Sequence, residues 1–270
     1  MFDIGRDRHG LISLHQKLTE NRGWAAANNA VKLLSYLYNR AIRIEEDLSA
    51  NPTVAVTYNK DRTRDTALSD ERLTEWFDSV TALTNPVKRL FWITVLFTGA
   101  RRNQLTTAEW SHIDLGSSPR WHFPDENAKA GRGYDIPLSP FVAKMLRAWR
   151  HYVEQEYPTS PQCRFVFPSA KSKSGHLESP RNERQGLTVS AHPLRHTFRT
   201  QGIAVRLSKT EAKILMGHKL SRADMDERYI TRSDAVEKVR PQQEAMTARY
   251  MKLLGLTDAS IESIIWPKNQ

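Results

Sequence analysis

The sequence predicts a mainly α-helical protein with one small antiparallel β-sheet, and three observations predict it. Apolar residues recur at helical spacing through most of the chain. Ser, Asn or Pro opens several of these runs and Gly closes them. The stretches with strand character, "WSHIDL", "RWHF" and "YDIPL", lie close together between residues 110 and 138.

In chain order, "WAAANNAVKLLSYLYNRAIRIEEDL" has the composition of one long helix, with Val31, Leu34, Tyr38 and Ile42 on a single stripe. "NPT" (51 to 53) ends it, and residues 54 to 66 are polar and basic without periodicity, as in a linker. The part before the linker has about 50 residues and at most two helices, thin for a core of its own, so a piece of that unit is expected to be missing. After the linker, Ser69 caps a helix to about Leu83. Asn85 and Pro86 open the next, which is apolar nearly all round and therefore reads as the buried central helix, with Gly99 at its left-handed C-terminal position. "RWHF" and "YDIPL" pair across "PDENAKAGRG" as a hairpin whose loop carries Lys129. Ser139 and Pro140 start an amphipathic helix with Val142, Leu146, Trp149 and Val153 on its stripe; residues 158 to 190 are loop-rich. Pro193 suits the first position of a helix that begins in "HPLRHTFRT". "SKTE" (208 to 211) is a capping box, and Gly217 closes the helix it starts. Pro241 opens a last helix with Met246, Tyr250, Leu253 and Leu254 on one side.

The charge narrows the class. Forty Lys and Arg against thirty Asp and Glu give a net +10 and a pI near 9.8, a balance that favours a polyanionic partner. Between Arg181 and Lys252 there are fifteen basic and eight acidic residues, so most of the excess lies in about a quarter of the chain. Cys163 is the only cysteine, which rules out an intrachain disulfide and a cysteine zinc cluster. The start, "MFDIGRDRHG", is charged, and "LFWITVLF" (90 to 97) is too short to span a bilayer. These features read as a soluble, cytoplasmic protein without a membrane partner.

Four stretches collect chemistry. "HPLRHTFRT" (192 to 200) places His192 and His196 four apart on a helix beside Arg195. That spacing suits a zinc pair, but the glutamate of H-E-x-x-H is absent and Leu194 stands in its place. "TGAR" sets Arg101 just past the glycine that ends a buried helix, Lys129 sits on a tight hairpin, and "MGHKL" puts His218 beyond a helix end with Tyr229 eleven residues later. Taken singly, Arg101 reads as a surface charge, Lys129 as a turn residue, His218 as a C-cap and Tyr229 as a core-edge residue. Taken together, two arginines, a lysine and two histidines suit the charged oxygens around a phosphorus under attack, with a tyrosine as nucleophile.

On these stretches the chain resembles the tyrosine recombinases, the phage-type integrases. "TGARRNQLTTAEWSHIDL" is similar to the family's first arginine box, Lys129 to its hairpin lysine, "HPLRHTF" to its His-x-x-Arg box, "LMGHKL" to its glycine-histidine box and "ADMDERYI" to its tyrosine box, in order over residues 70 to 230. "NNAVKLLSYLYNRAIRIEEDLSANPT" resembles the end of the core-binding domain that precedes the catalytic domain. The resemblance implies a partial core-binding domain over 1–53, a linker over 54–66, a catalytic domain over 67–232 and a helical tail over 233–270. Gln104 stands where the family commonly has a glutamate, a departure expected to weaken the support of Arg101 without removing a catalytic group. The core-binding part reads as truncated and no arm-binding domain is visible, so tight unaided binding to a specific site is not expected.

The resemblance implies strand exchange on double-stranded DNA through a 3′-phosphotyrosyl intermediate. Tyr229 would attack, Arg101 and Arg195 would hold the non-bridging oxygens, and His218 would add a hydrogen bond to them. His192 would assist the tyrosine proton, Lys129 would protonate the leaving 5′ oxygen, and His196 would support its helix internally. It implies no metal or cofactor, and a tetramer on DNA in which the tail docks on a neighbouring protomer. Relaxation by a type IB topoisomerase-like enzyme shares the chemistry. The alternative from another class is a non-catalytic regulator with "TQGIAVRLSKTEAKILMGHKL" as a helix-turn-helix; it explains the charge and leaves Arg101, Lys129 and Tyr229 without a task.

Overall fold

A computed structural model of the protein describes residues 2–60, 66–125, 133–159, 162–180, 189–218 and 232–266. The chain divides into two compact units, Met1–Asp65 and Thr66–Gln270.

Among its described residues the first unit holds three helices, α1 (Phe2–Arg6), α2 (Arg8–Arg22) and α3 (Trp24–Ala41), where the sequence predicts at most two. Asp7 caps α2 by accepting from the Gly10 N–H at 2.7 Å. The predicted long helix ends at Ala41, short of Leu48. Glu45, Glu46 and Asp47 would otherwise put three carboxylates at the negative end of the helix dipole. Of the predicted stripe, Val31 and Tyr38 are buried. The first residues of the predicted linker belong to this unit. Pro52–Ala55 form a 3-10 turn, Val56 packs with Leu11 and Val31, and Asn59 exchanges two hydrogen bonds with the Asn28 side chain at 2.9 and 3.0 Å. Its hold is one apolar side chain and a polar pair 31 residues apart, which hydrophobic periodicity within 54–66 does not register.

The second unit is built round α5 (Pro86–Thr98), buried on every side as predicted and in contact with α4 (Asp70–Thr81), α6 (Arg102–Thr106), α8 (Ala191–Ala204), α10 (Arg232–Leu253) and α11 (Ser260–Ile265). The sheet has three antiparallel strands in the order β1 (Ile113–Asp114), β2 (Arg120–Phe123) and β3 (Tyr134–Pro137). Trp121 pairs with Ile136 and Phe123 with Tyr134, and Trp121, Phe123 and Ile136 bury their side chains in the core. The amphipathic α7 (Pro140–Glu156) buries Val142, Leu146, Trp149 and Val153, the predicted stripe. The short α9 (Lys209–Leu215) opens on the Ser208–Glu211 capping box, with bonds of 3.2 and 2.8 Å.

Three elements differ from expectation. Helix α8 starts at Ala191, so Pro193 stands two residues inside it; a first-turn N–H has no intrahelical partner, so its loss there costs little. Helix α10 runs through Pro241 instead of starting there. Its first half is held by tertiary contacts: Val236 and Val239 are buried, and Arg240 donates to Ser118 Oγ at 2.7 Å and to the Pro119 carbonyl at 3.1 Å. The described part of the predicted tail, residues 233–266, packs into the core of this unit. Met246 and Tyr250 lie in the same core as α5, as do Ile261, Ile264 and Ile265 of α11, and Leu253 and Leu254 pack against it. The stripe expected to dock on another protomer is covered by its own chain, because α5 and α7 present apolar surface that α10 and α11 bury. Among the described residues no helix is long and apolar enough to cross a membrane.

Candidate active site

The end of α5 fixes the first candidate. Gly99 takes φ 62°, and a Cβ there would fall 2.8 Å from the Phe198 ring of α8, so conformation and space both demand glycine. Thr98 Oγ1 donates to the Thr94 carbonyl at 2.6 Å and accepts from the Ala100 N–H at 3.2 Å. Arg101 follows as the residue that caps α6. Its N–H donates to Gln104 Oε1 at 3.1 Å, the half of a capping box in which the third residue reaches back. Arg101 is thus half-buried on a backbone pinned from both sides.

Arg195 is 7% exposed, an expensive place for a cation unless its donors are satisfied. Nη1 donates to the Gly99 carbonyl at 2.6 Å, and Nη2 donates to the Met216 carbonyl and to His218 Nε2, the latter at 2.8 Å. Three of its N–H groups therefore tie the end of α5 to the end of α9. Burial and the nearby Arg101 lower its pKa to about 10, so it stays charged at neutral pH. His218 follows Gly217, which has φ 58°. Because His218 Nε2 accepts from Arg195, its ring proton sits on Nδ1. Burial, followed by the charges of Arg195 and Arg101, lowers its pKa to about 4 and keeps the ring neutral.

His192 stands on the exposed face of the first turn of α8, its ring centroid 4.8 Å from that of His196 in an edge-on contact. His196 is exposed too, which corrects the expectation that it supports the helix from inside: α8 turns Leu194, Arg195, Thr197 and Phe198 inward, and position 196 falls on the other face. Partial burial, then His196 and Arg195, lowers the His192 pKa. No cluster of three His, Cys, Asp or Glu able to hold a metal occurs among the described residues.

Lys129 and Tyr229 lie outside the described residues. What flanks them is defined. The Gly133 N–H donates to Asp125 Oδ1 at the two ends of the Lys129 loop, and α10 begins three residues after Tyr229. Arg240 of α10, paired with Glu237 at 2.7 Å, reaches Ser118 and Pro119 in the β1–β2 connection, at the end of the sheet away from the Lys129 loop. The structure therefore brings together Arg101, Arg195 and His218, and sets His192 on the same helix as Arg195.

One neighbour escaped the sequence reading. The Tyr134 hydroxyl donates to Gln104 Oε1 at 2.9 Å, and Arg195 and Arg101 both act on its ionisation. Strand alternation places Tyr134 on the inward face with Ile136, but no motif marks its hydroxyl.

No protein-family model matches the chain. Over 187 residues it is 30% identical to the prophage integrase IntF of Escherichia coli (strain K12), covering 66% of this chain and 37% of that protein; it thus spans little more than a third of the relative's length. Among solved structures it is similar to the XerH site-specific recombinase bound to a palindromic difH substrate in a post-cleavage complex, with TM-score 0.61, 18% identity, and 86% of this chain and 69% of that one covered. It is also similar to a lambda integrase tetramer bound to a Holliday junction, with TM-score 0.59, 17% identity, and coverage of 79% and 64%.

Proposed function

We propose that this chain, which belongs to the tyrosine recombinases by its fold and by its sequence relationship to a prophage integrase, cuts and rejoins double-stranded DNA at specific sites through a phosphotyrosyl intermediate. The observation that carries the proposal is the bonding of Arg195. A buried guanidinium with three donors spent on Gly99, Met216 and His218 is held still before any substrate arrives, which is what stabilising developing negative charge requires.

In the proposed reaction the Tyr229 oxygen attacks the scissile phosphorus and the bond to the 5′ oxygen breaks, leaving the DNA 3′ phosphate on the enzyme and a free 5′ hydroxyl. Attack by a 5′ hydroxyl of the exchanged strand reverses the step, so no external energy source enters. Arg101 and Arg195 grip the non-bridging oxygens, a task suited to a planar, permanently charged guanidinium. His218 offers its Nδ1 proton to the same charge. His192, neutral near pH 7, accepts the tyrosine proton, and Lys129 gives one to the leaving oxygen. The basic excess of the chain supplies general affinity for the phosphate backbone. Self-association on DNA is part of the proposal; the contacts between copies lie elsewhere than the covered α10 stripe. The setting is the interior of a bacterial cell, on its DNA.

The helix-turn-helix reading has α8, the turn and α9 in its favour. It gives no task to Arg195, which sits on the first of those helices and is turned into the protein.

The test is covalent capture. The protein should form a stable adduct with a nicked suicide duplex in excess EDTA, and Tyr229→Phe should bind the duplex with near-normal affinity but form none. An adduct formed by Tyr229→Phe, or a strict requirement for Mg²⁺ or Zn²⁺, would sink the assignment.

A further inference from the structure

The Tyr134 ring and hydroxyl meet two of the stretches that carry candidate residues, those of Arg101 and His218. The ring lies 5.0 Å from that of Phe123 on the neighbouring strand. On its other contact it fills the space of a side chain at Gly217: a Cβ there would fall 2.2 Å from the ring. The hydroxyl donates to Gln104 Oε1, the same oxygen that accepts from the Arg101 N–H, while the ring lies against Gly217, next to the Met216 carbonyl that accepts from Arg195, close enough for the guanidinium to act on the ionisation of the phenol. Gln104 is buried, and its Nε2 has no hydrogen-bond partner among the described residues. The amide is therefore held by its oxygen alone, and two donors converge on that oxygen. Burial raises the Tyr134 pKa, so the phenol keeps its proton and can donate to Gln104.

We propose that Tyr134 is a positioning residue for the phosphate grip: the chain from the Arg101 N–H through Gln104 Oε1 to the Tyr134 hydroxyl, whose ring lies against Gly217 beside the Met216 carbonyl that holds Arg195, sets the two arginines relative to one another. The proposal rests on the recombinase reading and adds a residue to it. A glutamate at position 104 would bring a charge of its own to Arg101. The neutral amide of this chain brings none, and a second group completes the link. The hydroxyl acts through Arg195 and touches neither the nucleophile nor the leaving group in this scheme.

The test is Tyr134→Phe in the full-length chain, which keeps the ring against Phe123 and Gly217 and removes only the hydroxyl. Single-turnover adduct formation on the suicide duplex should slow about ten- to a hundredfold, the range for losing a buried hydrogen-bond partner. Duplex affinity should stay within about twofold, because the basic surface is unchanged. In an Arg195→Ala background the same substitution should slow the reaction by less than about twofold, since groups acting in one chain are not additive. Adduct formation by Tyr134→Phe at the full rate overturns the proposal, as does an undiminished loss in the Arg195→Ala background, which would mark Tyr134 as a packing residue. Absence of any adduct with the unmodified protein overturns the recombinase reading itself, and this proposal with it.

Discussion

Arg195 donates through Nη1 to the carbonyl oxygen of Gly99 across 2.6 Å, so the residue that ends the central helix also fixes the buried guanidinium. The same glycine meets the Phe198 ring, one turn beyond Arg195 on α8. Gly99→Ala should therefore act on fold and site together. An alanine in the left-handed region costs about 1–2 kcal/mol, and crowding Phe198 adds about 1–3 kcal/mol. Urea unfolding should show a loss of about 2–5 kcal/mol, and adduct formation should fall even where the variant is fully folded. An unchanged unfolding midpoint would mean that the α5–α8 junction repacks freely.

His218 predicts a pH dependence of stability. Its folded pKa is lowered to about 4, below the value of about 6.5 for an unperturbed histidine. Between these values the unfolded chain binds a proton at this residue and the folded chain does not. Stability contributed by the neutral ring is thus fully present above about pH 6.5 and is lost as pH falls toward 4. Urea unfolding at pH 7, 6 and 5 should show this decline, and His218→Asn should show a shallower one. An identical slope in the two proteins would place the titration elsewhere.

Much of the fold is legible because helix starts are local chemistry. Asn85 accepts from the Lys88 N–H at 3.0 Å, Ser139 accepts from the Val142 N–H at 3.4 Å, and Ser208 with Glu211 closes its box; each is written within four residues of sequence. The course of α10 through Pro241 is not written locally. An interior proline costs about 3 kcal/mol, and what offsets it, Val236, Val239 and the bonds of Arg240, comes from other parts of the chain. The candidate site divides in the same way. Arg101, Arg195 and His218 stand out because their stretches resemble the recombinase boxes in order, whereas Tyr134 is an ordinary inward-facing strand residue until the fold places its hydroxyl beside Gln104.

The stripe of α10 is legible as apolar, but not what covers it. Since Ile261, Ile264 and Ile265 of α11 are buried in the core of their own unit, deleting residues 257–270 removes three side chains worth about 1.5–3 kcal/mol each. That is comparable to the whole stability of a typical domain, about 5–15 kcal/mol. Single-site cleavage and recombination should therefore fall together, with a lowered melting midpoint. Normal cleavage with recombination alone abolished would restore the tail as a contact between protomers. Ile264→Ala, expected to cost about 2–5 kcal/mol, tests the same point with less damage.

Lys129 is tested through the leaving group. On the proposed scheme it protonates the departing 5′ oxygen, an alkoxide that leaves poorly without a proton. Replacing that oxygen by sulfur removes the need, because a thiol of pKa about 8.5 leaves readily as its anion. Lys129→Ala should be crippled on ordinary DNA and largely restored on a 5′-bridging phosphorothiolate, with adduct formation as the readout. Arg195→Ala should gain nothing from the sulfur, since the charge it stabilises sits on the non-bridging oxygens, which the substitution leaves alone. The contrast between the two variants carries the argument: a general effect of the weaker P–S bond would speed both alike. If Lys129→Ala stays equally slow on both substrates, Lys129 positions DNA, and the acid must be sought among other lysines, beginning with the exposed Lys171 and Lys173.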